Sequence, residues 1–285
     1  MTEKWQISEP RTLDVGGEGE RVRALTIGLV GGHVDVVTHD DSPTARVEIH
    51  EVVGPPLEVS WDGSTVKVAH VKAEGQSLWE TLKSLGGGVT QKARARVSVS
   101  IPQDARASVS TVSADAVVSG IHAATKLNTV SGDITADDLV GDIDVNGVSG
   151  VFEGHDLRGT LKVNTVSGSM TVHRSALDPV KLNGVSGDIT LDLTQARTNI
   201  DSNSVSGDVT VRLPAGGGYR VRVSTMSGAA IVDGVALGGK PGKRGGEASE
   251  GDESLRLKAS SVSGDVVVLR SAATAGPELA KDGSA

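Results

Sequence analysis

A tripeptide, Val-Ser-Gly or a near variant, recurs along this chain, beginning at Val112, Val130, Val148, Val166, Val185, Val205, Met226 and Val262. The intervals are 18, 18, 18, 19, 20, 21 and 36 residues. A period this short constrains the fold more than composition does, because such a unit cannot bury its own apolar face and must stack on its neighbours. Four residues after each leading residue stand Ala116, Ile134, Phe152, Met170, Ile189, Val209, Ala230 and Val266. Two residues further on come Val118, Ala136, Gly154, Val172, Leu191, Val211, Val232 and Val268. A separation of two puts both columns on one strand face. A second strand per unit is marked by pairs such as Ile143 and Val145, Leu161 and Val163, and Val180 and Leu182, with a further apolar column at Ile121, Leu139, Leu157 and Leu177.

Each unit therefore reads as short strand, turn, short strand, turn. The sequence predicts an all-β, single-domain β-solenoid of stacked coils of 18–21 residues. Ile134, Phe152, Met170, Ile189, Val209 and Val266 form its inward columns, and the leading valines, Val148 among them, are placed in the same interior. The core must be thin, because the chain holds one Phe, one Tyr and three Trp. Phe152 beside Gly154 suits such a core by volume compensation. Two residues before each tripeptide runs a polar column, Ser110, Asn128, Asn146, Asn164, Asn183, Asn203, Ser224 and Ser260. Its five asparagines predict a buried ladder of side-chain amides, each donating to the one above.

Residues 1–101 are less regular and read as wider coils continuous with the repeat, with Asp62-Gly63 as a hairpin turn. One short helix is expected over Ser77–Leu85. Ser77 can cap it, Glu80 follows three residues on, and Leu78, Leu82 and Leu85 share a face. It reads as a cap on an open edge or, alternatively, as a docking helix. Residues 102–270 are the regular coils, interrupted by a polar loop at 238–253 that leaves the stack. Residues 271–285 read as a disordered tail.

The absence of cysteine closes disulfide, thiolate-metal and cysteine-nucleophile chemistry. A net charge of −8 argues against nucleic acid and anionic membranes as partners. No span is apolar enough for stable membrane insertion, and the first residues carry no apolar run of a secretory signal, so a cytoplasmic location is expected. Among the histidines the densest group is His33, Asp35, His39, Asp40 and Asp41. Residues six apart on a strand lie about 20 Å apart, too far for one ion, so this group reads as a solvated face. The position after each Gly holds Asp133, Val151, Ser169, Asp188, Asp208, Ala229 and Asp265, read as solvating turn acids. Gly238 to Gly246 lacks the Gly-Lys-Ser/Thr ending of a phosphate loop. No catalytic residue, metal or cofactor is expected.

The units Thr129 to Ile134 and Ser204 to Val209 resemble the bacterial β-strand-repeat family labelled "putative adhesin", a domain of unknown function, and are similar to toastrack domains associated with cell-envelope stress systems. The resemblance covers about Val22 to Arg270. It implies a β-solenoid without established catalytic residues and, through the adhesin label, surface display. The expected function is a non-enzymatic protein-interaction or scaffold module. Its unidentified protein partner would be a membrane-linked or transcriptional regulator. A bactofilin-like self-assembling scaffold is the first alternative. A carbohydrate-active β-helix enzyme is the second, which the scarcity of aromatic platforms opposes.

Overall fold

The computed structural model describes residues 2–17, 19–70, 93–238 and 244–271. Among them lie 23 strands and no helix, so the fold is all-β. The Ser77–Leu85 segment and residues 272–285 fall outside the described residues.

The strands form two hydrogen-bonded ladders joined by three strands that bend from one to the other. The first ladder starts with β1 (Glu3–Ile7), β5 (Leu57–Trp61) and β6 (Thr65–His70), and reaches the first half of β3 (Ala24–His39) and of β8 (Arg106–Ser119). It continues through β9 (Thr125–Thr129), β11 (Val140–Gly147), β13 (Arg158–Thr165) and the second half of β14 (Met170–Gly184). It ends with β16 (Thr198–Asn203), β22 (Leu255–Ser261), β18 (Tyr219–Thr225) and β21 (Arg244–Glu250).

The second ladder starts with β2 (Arg11–Val15), β4 (Ala45–Val53) and β7 (Arg94–Pro102), then takes the second halves of β3 and β8. It continues through β10 (Ile134–Asp137), β12 (Phe152–His155), the first half of β14 and β15 (Ile189–Leu193). It ends with β17 (Val209–Leu213), β23 (Val266–Arg270), β19 (Ala230–Val232) and β20 (Val235–Ala236). Every pairing between equivalent repeat strands is parallel, as a short unit repeated in one direction requires. Among the described residues antiparallel strands occur only toward the ends, where β1, β5, β2 and β4 lie at one and β20 and β21 at the other. The β5–β6 turn is the Asp62-Gly63 hairpin, with Gly63 at φ 96° and Asp62 Oδ1 accepting from the Ser64 and Thr65 amides at 3.0 and 2.8 Å.

Inward residues of both ladders form one buried apolar cluster that includes Ile134, Phe152, Met170, Ile189, Val209 and Val266. Gly154 makes room inside it: an added Cβ would stand 2.7 Å from Leu157 Cδ1 and 3.2 Å from Phe152 Cε1.

Two expectations are corrected here. The leading valines are not interior. Val148, Val166, Val185, Val205 and Val262 are 43–49% exposed and Met226 77%. The alternation that relates Val148 to Phe152 breaks at the corner, where Val148 and Ser149 both face out while Gly147 and Gly150 flank them. Secondly, residues 244–250 do not leave the stack, because β21 folds back antiparallel onto β18. Beyond these, the coils do not follow chain order to the end. β22 and β23 insert between the coil of β16 and β17 and the coil of β18 and β19, so Val262 lies spatially between Val205 and Met226. The 36-residue interval is the chain passing out to the last coil and back.

Candidate functional site

At the corner where each coil passes from the first ladder to the second, the outward sequence is Asn, Val, Ser, Asp. The backbone makes the corner continuous. Ser131, Ser149, Ser167, Ser186, Ser206 and Ser263 donate their amides to the carbonyls of Val112, Val130, Val148, Val166, Val185 and Val205 at 2.7–2.9 Å, and Ser227 to Val262 at 3.0 Å. Hydroxyls reinforce the same carbonyls, with Ser149 Oγ donating to Val130 at 2.9 Å and Ser167 Oγ to Val148 at 3.0 Å. The carbonyls of the tripeptide's leading residues from Val112 to Val205, and that of Val262, are thus satisfied within the chain, while Ser204 Oγ and Ser261 Oγ lie buried at the corner without a partner and the valine methyls face outward. With rungs about 4.8 Å apart, the row from half-buried Val130 through exposed Val148, Val166, Val185, Val205 and Val262 to Met226 is an apolar ridge about 29 Å long.

Two polar rows flank this ridge. On one side Asn128 Nδ2 donates to Ser110 Oγ at 3.1 Å, and Asn146, Asn164, Asn183 and Asn203 each donate to the Oδ1 of the preceding asparagine at 3.1, 2.8, 3.0 and 3.2 Å. These residues are half-buried at Asn128, Asn146 and Asn164 and exposed at Asn183 and Asn203, so the amides line the surface where the sequence placed them in the interior. On the other side the aspartates do more than solvate turns. Asp115 and Asp133 accept the amides of Asp133 and Val151 at 3.0 and 2.9 Å. Asp188, Asp208 and Asp265 accept those of Asp208, Asp265 and Ala229 at 3.1, 2.8 and 2.7 Å. One Oδ of each aspartate therefore ties its rung to the next.

The histidine group read from the sequence divides in two. His33 and Asp35 share a face, with Nε2 and Oδ1 2.9 Å apart, whereas His39 pairs with Asp41 at 3.2 Å. His33 and Asp35 border a polar cleft of about 570 Å³ with Glu51, Arg96 and Asp115, while His39, Asp40 and Asp41 border another of about 540 Å³. Sequence parity missed the partners of the first pair. Ser98 Oγ donates to Asp35 Oδ2 at 3.5 Å, and His50 Nε2 lies 3.0 Å from Ser98 Oγ. A register shift between Ile49 and Glu51 bulges β4 at His50 and aims its ring there. His155 and His173, opposed in the β12–β14 pairing, stack with centroids 5.1 Å apart. Among the described residues no group of three or more His, Asp or Glu is arranged to hold a metal ion. No helix among them is long and apolar enough to cross a membrane.

The family model described as Toastrack DUF4097 matches residues 34–269. No curated protein matches the chain. Three similar crystal structures share 11–12% identity with it. The "putative lipid binding protein" of Parabacteroides distasonis ATCC 8503 has 12% identity, covers 93% of this chain and 97% of its own, and gives a TM-score of 0.49. The "putative adhesin" of Bacteroides fragilis NCTC 9343, at 11%, covers 92% and 97% with a TM-score of 0.47. The "putative cell adhesion protein" of Clostridium sporogenes ATCC 15579, at 11%, covers 92% and 100% with a TM-score of 0.28.

Proposed function

This chain belongs to the Toastrack DUF4097 family, and from that premise we propose that it is a non-enzymatic β-solenoid that binds a protein through the ridge from Val130 to Met226. Parallel, in-register pairing of equivalent strands in both ladders supports the solenoid reading. The observation that carries the binding reading is the exposure of one apolar residue per coil along the six successive coils from Val148 to Met226, with the carbonyls of Val148, Val166, Val185, Val205 and Val262 already accepting a bond from the next coil. Isolated surface valines need no explanation; a contiguous row rimmed by polar residues is the pattern of an interaction surface. End-to-end assembly of the bactofilin type fits less well. The antiparallel β1, β2, β20 and β21 occupy the edges that a further coil would have to use.

The test compares wild type with the double variant Val166→Asp/Val185→Asp as bait in lysate of the source cells. One or more proteins recovered reproducibly by wild type and lost with the variant support the reading. Identical recovery by two equally folded baits counts against it.

A further inference from the structure

We propose that the ridge pairs with the same ridge of a second copy of this chain, the two coil stacks running parallel; this rests on the reading of the ridge as a binding surface. Pitch selects the occupant. The exposed residues repeat at the rung spacing of about 4.8 Å, and a partner that meets every one of them must carry contact groups at the same spacing. A second copy supplies that row, and its methyls can interlock rung by rung as in the dry interface between stacked sheets. A contact about 29 Å long and about 15 Å wide, reaching the flanking polar rows, removes on the order of 900 Å² from water over both copies, below the roughly 1,200 Å² of stable interfaces and in the range of weak, transient ones, which sets the association at micromolar concentrations.

The flanking rows select the direction. A two-fold axis parallel to the ridge brings the aspartate row of each copy to the side where the other presents its amide row. Asp133, Asp188 and Asp208 then stand level with Asn128 of the partner subunit, Asn183 of the partner subunit and Asn203 of the partner subunit. Asp265 stands level with Ser260 of the partner subunit. The amides have hydrogen to give, since the row occupies one of the two Nδ2 hydrogens of Asn183 and of Asn203. Each aspartate keeps its second oxygen, because a single Oδ accepts the next rung's amide. The antiparallel alternative with full overlap sets amide against amide and brings Asp188 against Asp188 of the partner subunit.

Sedimentation equilibrium of the full chain over a concentration series tests the pairing. We expect a species of twice the 29.1 kDa chain mass at tens of micromolar, and at least tenfold weaker association for Val166→Asp/Val185→Asp with an unchanged circular dichroism spectrum. The sequence contains no cysteine, so single replacements report direction. Met226→Cys and Val148→Cys should each cross-link to themselves under mild oxidation. A wild type that stays monomeric at 100 micromolar overturns the proposal, as does a dimer insensitive to the two aspartates. If a mixture of Val148→Cys and Val262→Cys cross-links while neither does alone, the parallel arrangement is wrong. If wild type is monomeric but ridge-dependent capture from lysate persists, the second copy is rejected and the ridge as a binding surface stands; loss of both rejects both.

Discussion

At Gly150 an added Cβ would stand 2.0 Å from the carbonyl oxygen of Gly132, and at Gly168 the same distance from that of Gly150. The obstructing atom is backbone held in a rung, so it cannot swing aside. The third residue of the tripeptide is therefore set by the closeness of the coils. We expect Gly150→Ala to cost about 2–4 kcal/mol in chemical denaturation, while Gly238→Ala, with nothing within 4 Å of the new carbon, stays near wild type. His70 presents a different residue-scale constraint. It is 6% exposed, its Nδ1 accepts the Val30 amide at 3.2 Å, and burial pushes its pKa down from 6.5 to about 4, the Arg94 backbone offsetting only part. Because the folded value lies below the unfolded one, the unfolded chain takes up the proton first. The contribution is intact above pH 6.5 and is lost as the pH falls from 6.5 toward 4. Wild type should lose about 3 kcal/mol more than His70→Asn over that interval, read from denaturation midpoints at each pH; parallel profiles would contradict the burial argument. The glycine column is legible in the sequence as a repeated letter. The depression at His70 is not, since it depends on which strands enclose the ring.

Strand by strand, the inward columns follow from alternation because the pleat is local: two residues apart means the same face wherever the strand lies. Alternation stops at the corner, and there parity misplaces the leading valine. Val148→Asp should accordingly leave the protein soluble with stability changed by no more than about 0.5 kcal/mol, as for other exposed sites. Val145→Asp, at a residue 2% exposed, should abolish soluble expression by burying an unpaired charge. Soluble yield and thermal midpoint of the pair measure the difference. The asparagine row shows the same division. Its spacing of one coil fixes that the amides are neighbours, while its position on the outer surface is set by the bend. Each such bond contributes about 0.5–1.5 kcal/mol, enough to hold register in strands of four to eight residues such as β10 and β11. The aspartates were legible only as a column. Their bond to the next rung's amide appears once the rungs are stacked, as does the meeting of His33, Asp35, Ser98 and His50, contributed by three strands of the second ladder.

For the molecule as a whole, the inverted order of the last coils carries a consequence for folding. β18 and β19 rest on β22 and β23, which the chain reaches later, and not on β16 and β17, which precede them. In a stack stabilised by nearest neighbours, a chain ending at Gly238 keeps residues 219–232 but removes their supporting coil. Hydrogen exchange should find those amides protected in the full chain and unprotected in the truncated one; retained protection would mean that β18 docks directly on β16. Among the described residues both ends carry antiparallel strands, an arrangement that leaves the flank with the ridge as the surface for the proposed association. The sequence by itself determined the coil period, the two inward columns, the glycine contact line and the exclusion of cysteine chemistry, because each is a property of residue type at a local spacing. Only the tertiary structure decided the order of the final coils, the outward turn of the valines and the companions of each histidine. Equivalent coils offer one another nearly identical edges, so a periodic sequence specifies that they pair without specifying which neighbour each one takes, and long-range packing makes that choice.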